Sequence, residues 1–142
     1  MTFMVTFKLD ADPVGKQRAR YARRGNFVQT YTPDKTRNYE ALLKDAAIEA
    51  MGSSEPLETP VSLYLYIRVP IPKSFSKKKV QECLNGLEQP MKKPDSSNVL
   101  KSVEDAMNGV VYMDDCQIIN HHITRVYSTL SGVDICVKEY LP

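Results

Sequence analysis

Residues 61–69 read VSLYLYIRV, and residues 98–110 read NVLKSVEDAMNGV. In the first stretch Val61, Leu63, Leu65, Ile67 and Val69 alternate with Ser62, Tyr64, Tyr66 and Arg68. That two-residue period predicts a strand with one buried face, and Pro70 and Pro72 stop it. In the second stretch Val99, Leu100, Val103, Ala106, Met107 and Val110 recur with the helical period, which predicts an amphipathic helix over 98–109 ended by Asn108-Gly109. Working outward, Phe3, Val5, Phe7 and Leu9 predict a strand over 2–9, and 18–31 reads as a hairpin around Arg24-Gly25-Asn26. A helix over 36–51, capped by Thr36 or Thr32, ends at Gly52. A short helix over 76–85 turns Val80, Cys83 and Leu84 inward, and strands follow over 117–127 and 132–139. The order predicts one α+β domain over 1–142, a mixed and mainly antiparallel sheet with helices packed on it.

Length and composition agree. The chain has 142 residues, 42% hydrophobic and 25% charged, which suits one soluble globular core and argues against disorder, collagen or a coiled coil. No apolar run approaches the roughly 20 residues that span a bilayer, and the amino terminus lacks the features of a signal peptide. Cys83, Cys116 and Cys136 are an odd number at unpatterned spacings, so reduced thiols in a cytoplasmic protein are the simplest expectation.

The net charge is only +2, but it is unevenly spread. Residues 15–44 hold Lys16, Arg18, Arg20, Arg23, Arg24, Lys35, Arg37 and Lys44 against Asp34 and Glu40, with Tyr21, Phe27, Tyr31 and Tyr39 between them. Lys73, Lys77, Lys78 and Lys79 form a second cluster, and Lys92 and Lys93 a third. Cations interleaved with aromatics suit a phosphate backbone; a solvated loop and helix face is the plainer alternative.

Asp95 precedes the helix of 98–109, and Asp114 and Asp115 follow it. These points lie about 18 Å apart along a helix of a dozen residues, unless Val110 to Met113 carry the chain back toward the helix start. Carboxylates meeting that way would hold Mg²⁺ through oxygens. Each also has an ordinary reading: Asp95 as an N-cap, the Asp pair as a solvated turn, Lys101 and Asp105 as an i,i+4 pair, Glu104 as simply solvated. His121 and His122 are neighbours on a strand, so they face opposite ways and do not readily share one ion. No Cys-x-x-Cys, Gly-rich phosphate loop or Gly-x-Ser-x-Gly is present.

Residues 93–117, KPDSSNVLKSVEDAMNGVVYMDDCQ, resemble the signature of the RusA family of Holliday junction resolvases. That signature runs Lys-Pro-Asp, one residue, Asp-Asn, two residues, Lys, then Asp-Ala-Leu-Asn-Gly and Asp-Asp, one residue, Gln. GKQRARY (15–21) and YTPDKTRNYE (31–40) resemble two further blocks of the family. The resemblance implies a RusA-like fold and a homodimeric endonuclease for four-way DNA junctions, dependent on Mg²⁺ or on Mn²⁺ in its place, acting in recombination and repair in bacteria or their prophages. It puts the catalytic roles on Asp95, Lys101 and Asp115, with Asp114 as an extra metal ligand and Asn98 retained. On such a substrate the basic residues of 16–37 and 73–79, with Lys93, are the expected DNA contacts. One position departs: Ser97 stands where the family carries a second metal-binding aspartate. Asp114 or Asp105 then supplies the missing charge, Ser97 holds a metal-bound water, or Ser97 merely caps the helix. A catalytically weakened or inactive junction-binding protein is therefore the competing expectation, and a general single-strand binder using the same aromatics is a third. The alternation of 61–69 and 117–126 offers surface for both a core and a dimer contact.

Overall fold

The computed structural model describes residues 2–16, 20–25, 27–31 and 34–140. Among them the chain runs β1 (Met4–Leu9), β2 (Arg20–Arg24), β3 (Phe27–Tyr31), α1 (Asp34–Met51), β4 (Val61–Pro70), α2 (Lys77–Leu84), α3 (Ser96–Met107), a 3₁₀ turn (Asp115–Gln117), β5 (Ile118–Ser128) and β6 (Gly132–Glu139). Four strands form one sheet in the order β1-β6-β4-β5. The β1/β6 and β6/β4 pairs are antiparallel, and β4/β5 is parallel. β2 and β3 make a separate hairpin, with Gly25 at φ 62° in its turn, a backbone that glycine adopts without strain. The α+β architecture with a mixed, mainly antiparallel sheet is as expected.

The alternation of β4 explains where the core sits. Val61, Leu63, Leu65 and Ile67 are buried, and β6 adds Val133, Ile135 and Val137 beside them. Over this floor lie Tyr39, Leu43 and Ala47 of α1 and Val99, Val103, Ala106 and Met107 of α3. Each buried Val, Leu, Ile or Met side chain among them contributes about 1.5–3 kcal/mol. The opposite face stays open. Tyr64 stacks on His122 there at 4.6 Å between centroids, and the Lys138 ammonium lies 5.1 Å from the Tyr64 ring centre.

Three local expectations are corrected. α1 begins at Asp34, so Thr36 is a fully buried residue of its first turns and not a cap; Thr32 lies outside the described residues. Leu84 is 45% exposed while Cys83 is buried, because α2 packs beside the edge strand β5, where less of the sheet lies over it. α3 starts at Ser96, two residues early, because Asp95 caps it. The three cysteines are free. No described helix is long and apolar enough to cross a membrane.

Candidate active site

The site is built along one face of α3. At its start Asp95 Oδ1 accepts the Asn98 N–H at 2.9 Å and the Ser97 hydroxyl at 3.3 Å. Ser97 is therefore inside the helix and is not its cap. The segment before β2 lies across this end: Lys16 N–H donates to Asn98 O at 3.0 Å, and Ser102 Oγ donates to Val14 O at 3.2 Å. A side chain at Gly15 would bring its Cβ within 3.1 Å of the Cβ atoms of both Pro94 and Asn98. Glycine thus permits the close approach.

Further along the same face, charges alternate in sign. Lys16 Nζ pairs with Glu40 of α1 and, at 3.2 Å, with Asp105. Asp105 also takes Lys101 Nζ at 3.0 Å, and Lys101 reaches Asp115 Oδ2 at 3.5 Å. The Asp115 carboxyl is a near neighbour of Glu104, and Glu104 Oε1 lies 3.5 Å from His121 Nε2. Burial, and next the Asp115 carboxyl, push Glu104 up to about 7. Asp105 holds the Lys101 ammonium above its ordinary range. For Lys16 burial pulls downward, but Glu40 and Asp105 outweigh it and raise the ammonium. Both lysines are thus held as cations.

The turn after α3 decides which residues meet. Val110 and Val111 N–H groups both return to Met107 O at 3.0 Å, and the buried Tyr112 donates its hydroxyl to Glu104 O at 2.9 Å. Asp114 then caps the 3₁₀ turn, accepting from Cys116 N–H at 3.1 Å, and its bonds to Cys116 hold its carboxyl below the usual range. Gln117 Oε1 accepts from the Met113 and Asp114 N–H groups, and its Nε2 donates to Leu57 O and Thr59 O. This doubling back carries Asp115 to the level of Lys101 and Glu104. Asp95 lies six residues before Lys101, about 9 Å along the axis. So the structure brings Lys101, Asp105, Glu104 and Asp115 together, while Asp95 faces Ser97 and Asn98. Among the described residues, no three His, Cys, Asp or Glu side chains converge to hold an ion.

The expected DNA contacts divide similarly. Lys16, Lys35, Lys93 and Asn98 line one cleft of about 460 Å³ at the α3 start, with the Lys16 ammonium turned inward onto its two carboxylates. Arg37 is exposed and pairs with Asp34, and Arg23, Lys73 and Lys77 are exposed. Arg18, and the side chains of Arg20 and Arg24, lie outside the described residues. Three residues that carry the site were not singled out for it. Glu104 is three residues after Lys101 and seven after Ser97, a spacing that puts it on their helix face. His121 pairs with Leu63 in the β5/β4 register, so it shares the helix-covered side, while His122 takes the open one, as the strand period requires. Arg125 donates to the carbonyls of Lys92 at 2.6 Å, Pro94 at 2.9 Å and Pro90 at 2.9 Å, fastening the loop that delivers Asp95.

Comparison with known proteins matches this arrangement to a family. Residues 10–138 fit the model of endodeoxyribonuclease RusA. Over 138 residues the chain is 31% identical to the uncharacterized protein YqaN of Bacillus subtilis (strain 168), spanning 95% of this chain and 96% of that protein. With a match of this extent, the chain belongs to the RusA endodeoxyribonuclease family.

Proposed function

We propose that this chain is a divalent-metal-dependent, structure-selective endodeoxyribonuclease that resolves four-way DNA junctions by paired symmetric nicks, in recombination and repair. The supporting observation is the contact of Lys101 Nζ with Asp115 at 3.5 Å within a string of alternating charges. A cation held in place by Asp105 on one side and Asp115 on the other suits the charge that builds on a phosphate as its ester bond breaks.

The donors gathered here are carboxylate oxygens, the ligand type of Mg²⁺ or Mn²⁺. In this reading Asp115, with Glu104 beside it, would supply the ion's carboxylates, and Asp95 would join them from the helix start. Such an ion supplies charge stabilisation at the phosphate and lowers the pKa of a coordinated water. Asp114 holds the turn that presents Asp115. Lys35, Lys93 and Asn98 grip the backbone without reading sequence, and Lys16 holds Asp105, and through it Lys101, in position. A C2 homodimer matches the approximate twofold symmetry of a four-way junction and cuts two opposed strands in one complex.

One observation favours a second reading. Ser97 offers no carboxylate, and its hydroxyl is spent on Asp95 at 3.3 Å; a weakened or inactive junction-binding protein follows if that missing ligand is essential. The test is a labelled synthetic four-way junction and a linear duplex, incubated with Mg²⁺ or with chelator. Symmetric Mg²⁺-dependent nicks support the enzyme, and tight junction binding without nicks supports the second reading. Ser97→Asp then raises metal affinity, read by calorimetry, and restores or increases cleavage if the serine is the handicap.

A further inference from the structure

Beside the lysine cleft lies a second, apolar one of about 310 Å³, lined by Val69, Pro70, Pro72, Pro90, Pro94 and Tyr127. The two clefts share Pro13, Lys35, Lys93 and Pro94, so they are two halves of one groove parted by the 93–94 segment. Lys35, Lys92 and Lys93 stand at the apolar half, and the one carboxylate lining it among the described residues, Asp12, accepts a bond from Ser131.

Its shape is fixed from behind. Prolines lack an N–H, so the 90–94 loop has few backbone donors of its own. Its carbonyls at Pro90, Lys92 and Pro94 instead converge on the Arg125 guanidinium, whose planar fork suits several acceptors at once. With the polar groups turned inward, proline rings are left to line the groove. Tyr127 is set against Phe75, edge to face at 6.0 Å.

We infer that this half of the groove takes a single nucleobase, unstacked at a DNA branch point, while its flanking phosphate lies in the lysine half beside Asp95. The inference rests on the reading of branched DNA as substrate and names how the branch is recognised. An aromatic and proline-lined slot of this size suits one flat ring system and is too small for the end of a duplex. Stacking on a ring needs no particular base, because every base has a π-face. Cations at the rim match the phosphates on either side of the base. A branch point is also where a base leaves its stack at least cost, since its neighbours are already disrupted. Linear duplex has no such base to offer, so the slot converts branching into affinity.

The experiment uses four-way junctions carrying 2-aminopurine at each branch-adjacent position in turn, in chelator so that no strand is cut, with binding followed separately by mobility shift. Binding changes the fluorescence at one branch-adjacent position by about twofold or more, and leaves a label in mid-arm or in linear duplex unchanged. Tyr127→Leu removes most of that change and lowers the junction-over-duplex preference roughly tenfold, whereas Tyr127→Phe, which keeps the ring, retains both. A junction that is bound by the native chain with no fluorescence change at any branch-adjacent label overturns the inference. So does a Tyr127→Leu chain, folded by circular dichroism, that keeps both signals. Failure of the native chain to shift the junction at all instead overturns the reading of its substrate, and the mobility shift reports that separately.

Discussion

At its start α3 is open. Asp95, Ser97 and Asn98 are exposed, Lys35 and Lys93 stand at the rim, and among the described residues the Asp95 carboxylate is held by its own helix's Ser97 hydroxyl and Asn98 N–H. Two turns further on, the same face is closed by pairing and not by burial, since the Lys101 side chain stays 52% exposed. Lys101 lies between Asp105 and Asp115, and the Glu104 side chain is 13% exposed. Water and salt screen charges at the open end, so each is worth little alone, and in the proposed function they act together by attraction to a polyanion. In the closed part each of these ionic groups has a partner, so changing one removes a partner from another. The helix start is thus suited to holding DNA, and its middle to holding a charge distribution rigid while DNA reacts.

Substitutions at the two places separate these roles. The largest effect belongs to the closed part. Asp115→Asn lowers single-turnover cleavage of a four-way junction by about 100-fold or more in Mg²⁺. Junction binding stays unchanged or tightens, because a negative charge facing phosphate is lost; cleavage that survives the change removes Asp115 from the site. Next, Lys16→Met leaves Glu40 and Asp105 without their shared cation and costs about 1–3 kcal/mol in chemical denaturation. Lys93→Ala in the same assay stays within about 0.5 kcal/mol, and equal losses would erase the contrast between the two places. At the open end, Lys35→Ala and Lys93→Ala each weaken junction binding by roughly 3–10-fold and reduce the slope of log affinity against log salt by about one.

The smallest effect is a pH dependence. Glu104 is held up to about 7 from a reference of 4.5. Between those values the folded chain keeps a proton that the unfolded chain has released, so stability falls as pH rises through that window. Glu104→Gln removes the titration. Its melting temperature therefore gains on the native chain above pH 7 and shows a flatter profile between pH 4.5 and 7. Identical profiles would mean that Glu104 does not titrate in that range.

Much of this was legible in residue spacing. β4 follows the alternation of 61–69 to within one residue, and β6 matches 132–139, because both lie in the middle of the sheet where one face must be apolar throughout. α3 is legible because its stripe packs on that floor. Asp95 was readable both as a cap and as a site residue, and its geometry is that of a cap. What spacing does not carry is the identity of a partner distant in sequence. The place of Glu104 on the face of Lys101 follows from its position, but not that Asp115 would be folded back against it, since that depends on a tight return over Val110–Tyr112. Arg125 gave no signal at all, because its partners are backbone carbonyls 31 to 35 residues away. Leu84 was misread because a helical stripe does not reveal that the helix sits at a sheet edge.

Gln117 shows how narrowly the acidic turn is specified. Its amide presents two hydrogens to the carbonyls of Leu57 and Thr59 and one oxygen to two N–H groups of the turn, so all four positions are taken at 2.8 to 2.9 Å. A glutamate has the same length and outline but only lone pairs, and would set oxygen against oxygen at the entry to β4. Loss of the amide nitrogen, by substitution or by spontaneous deamidation, is therefore a way to unfasten Asp114 and Asp115 without altering either of them.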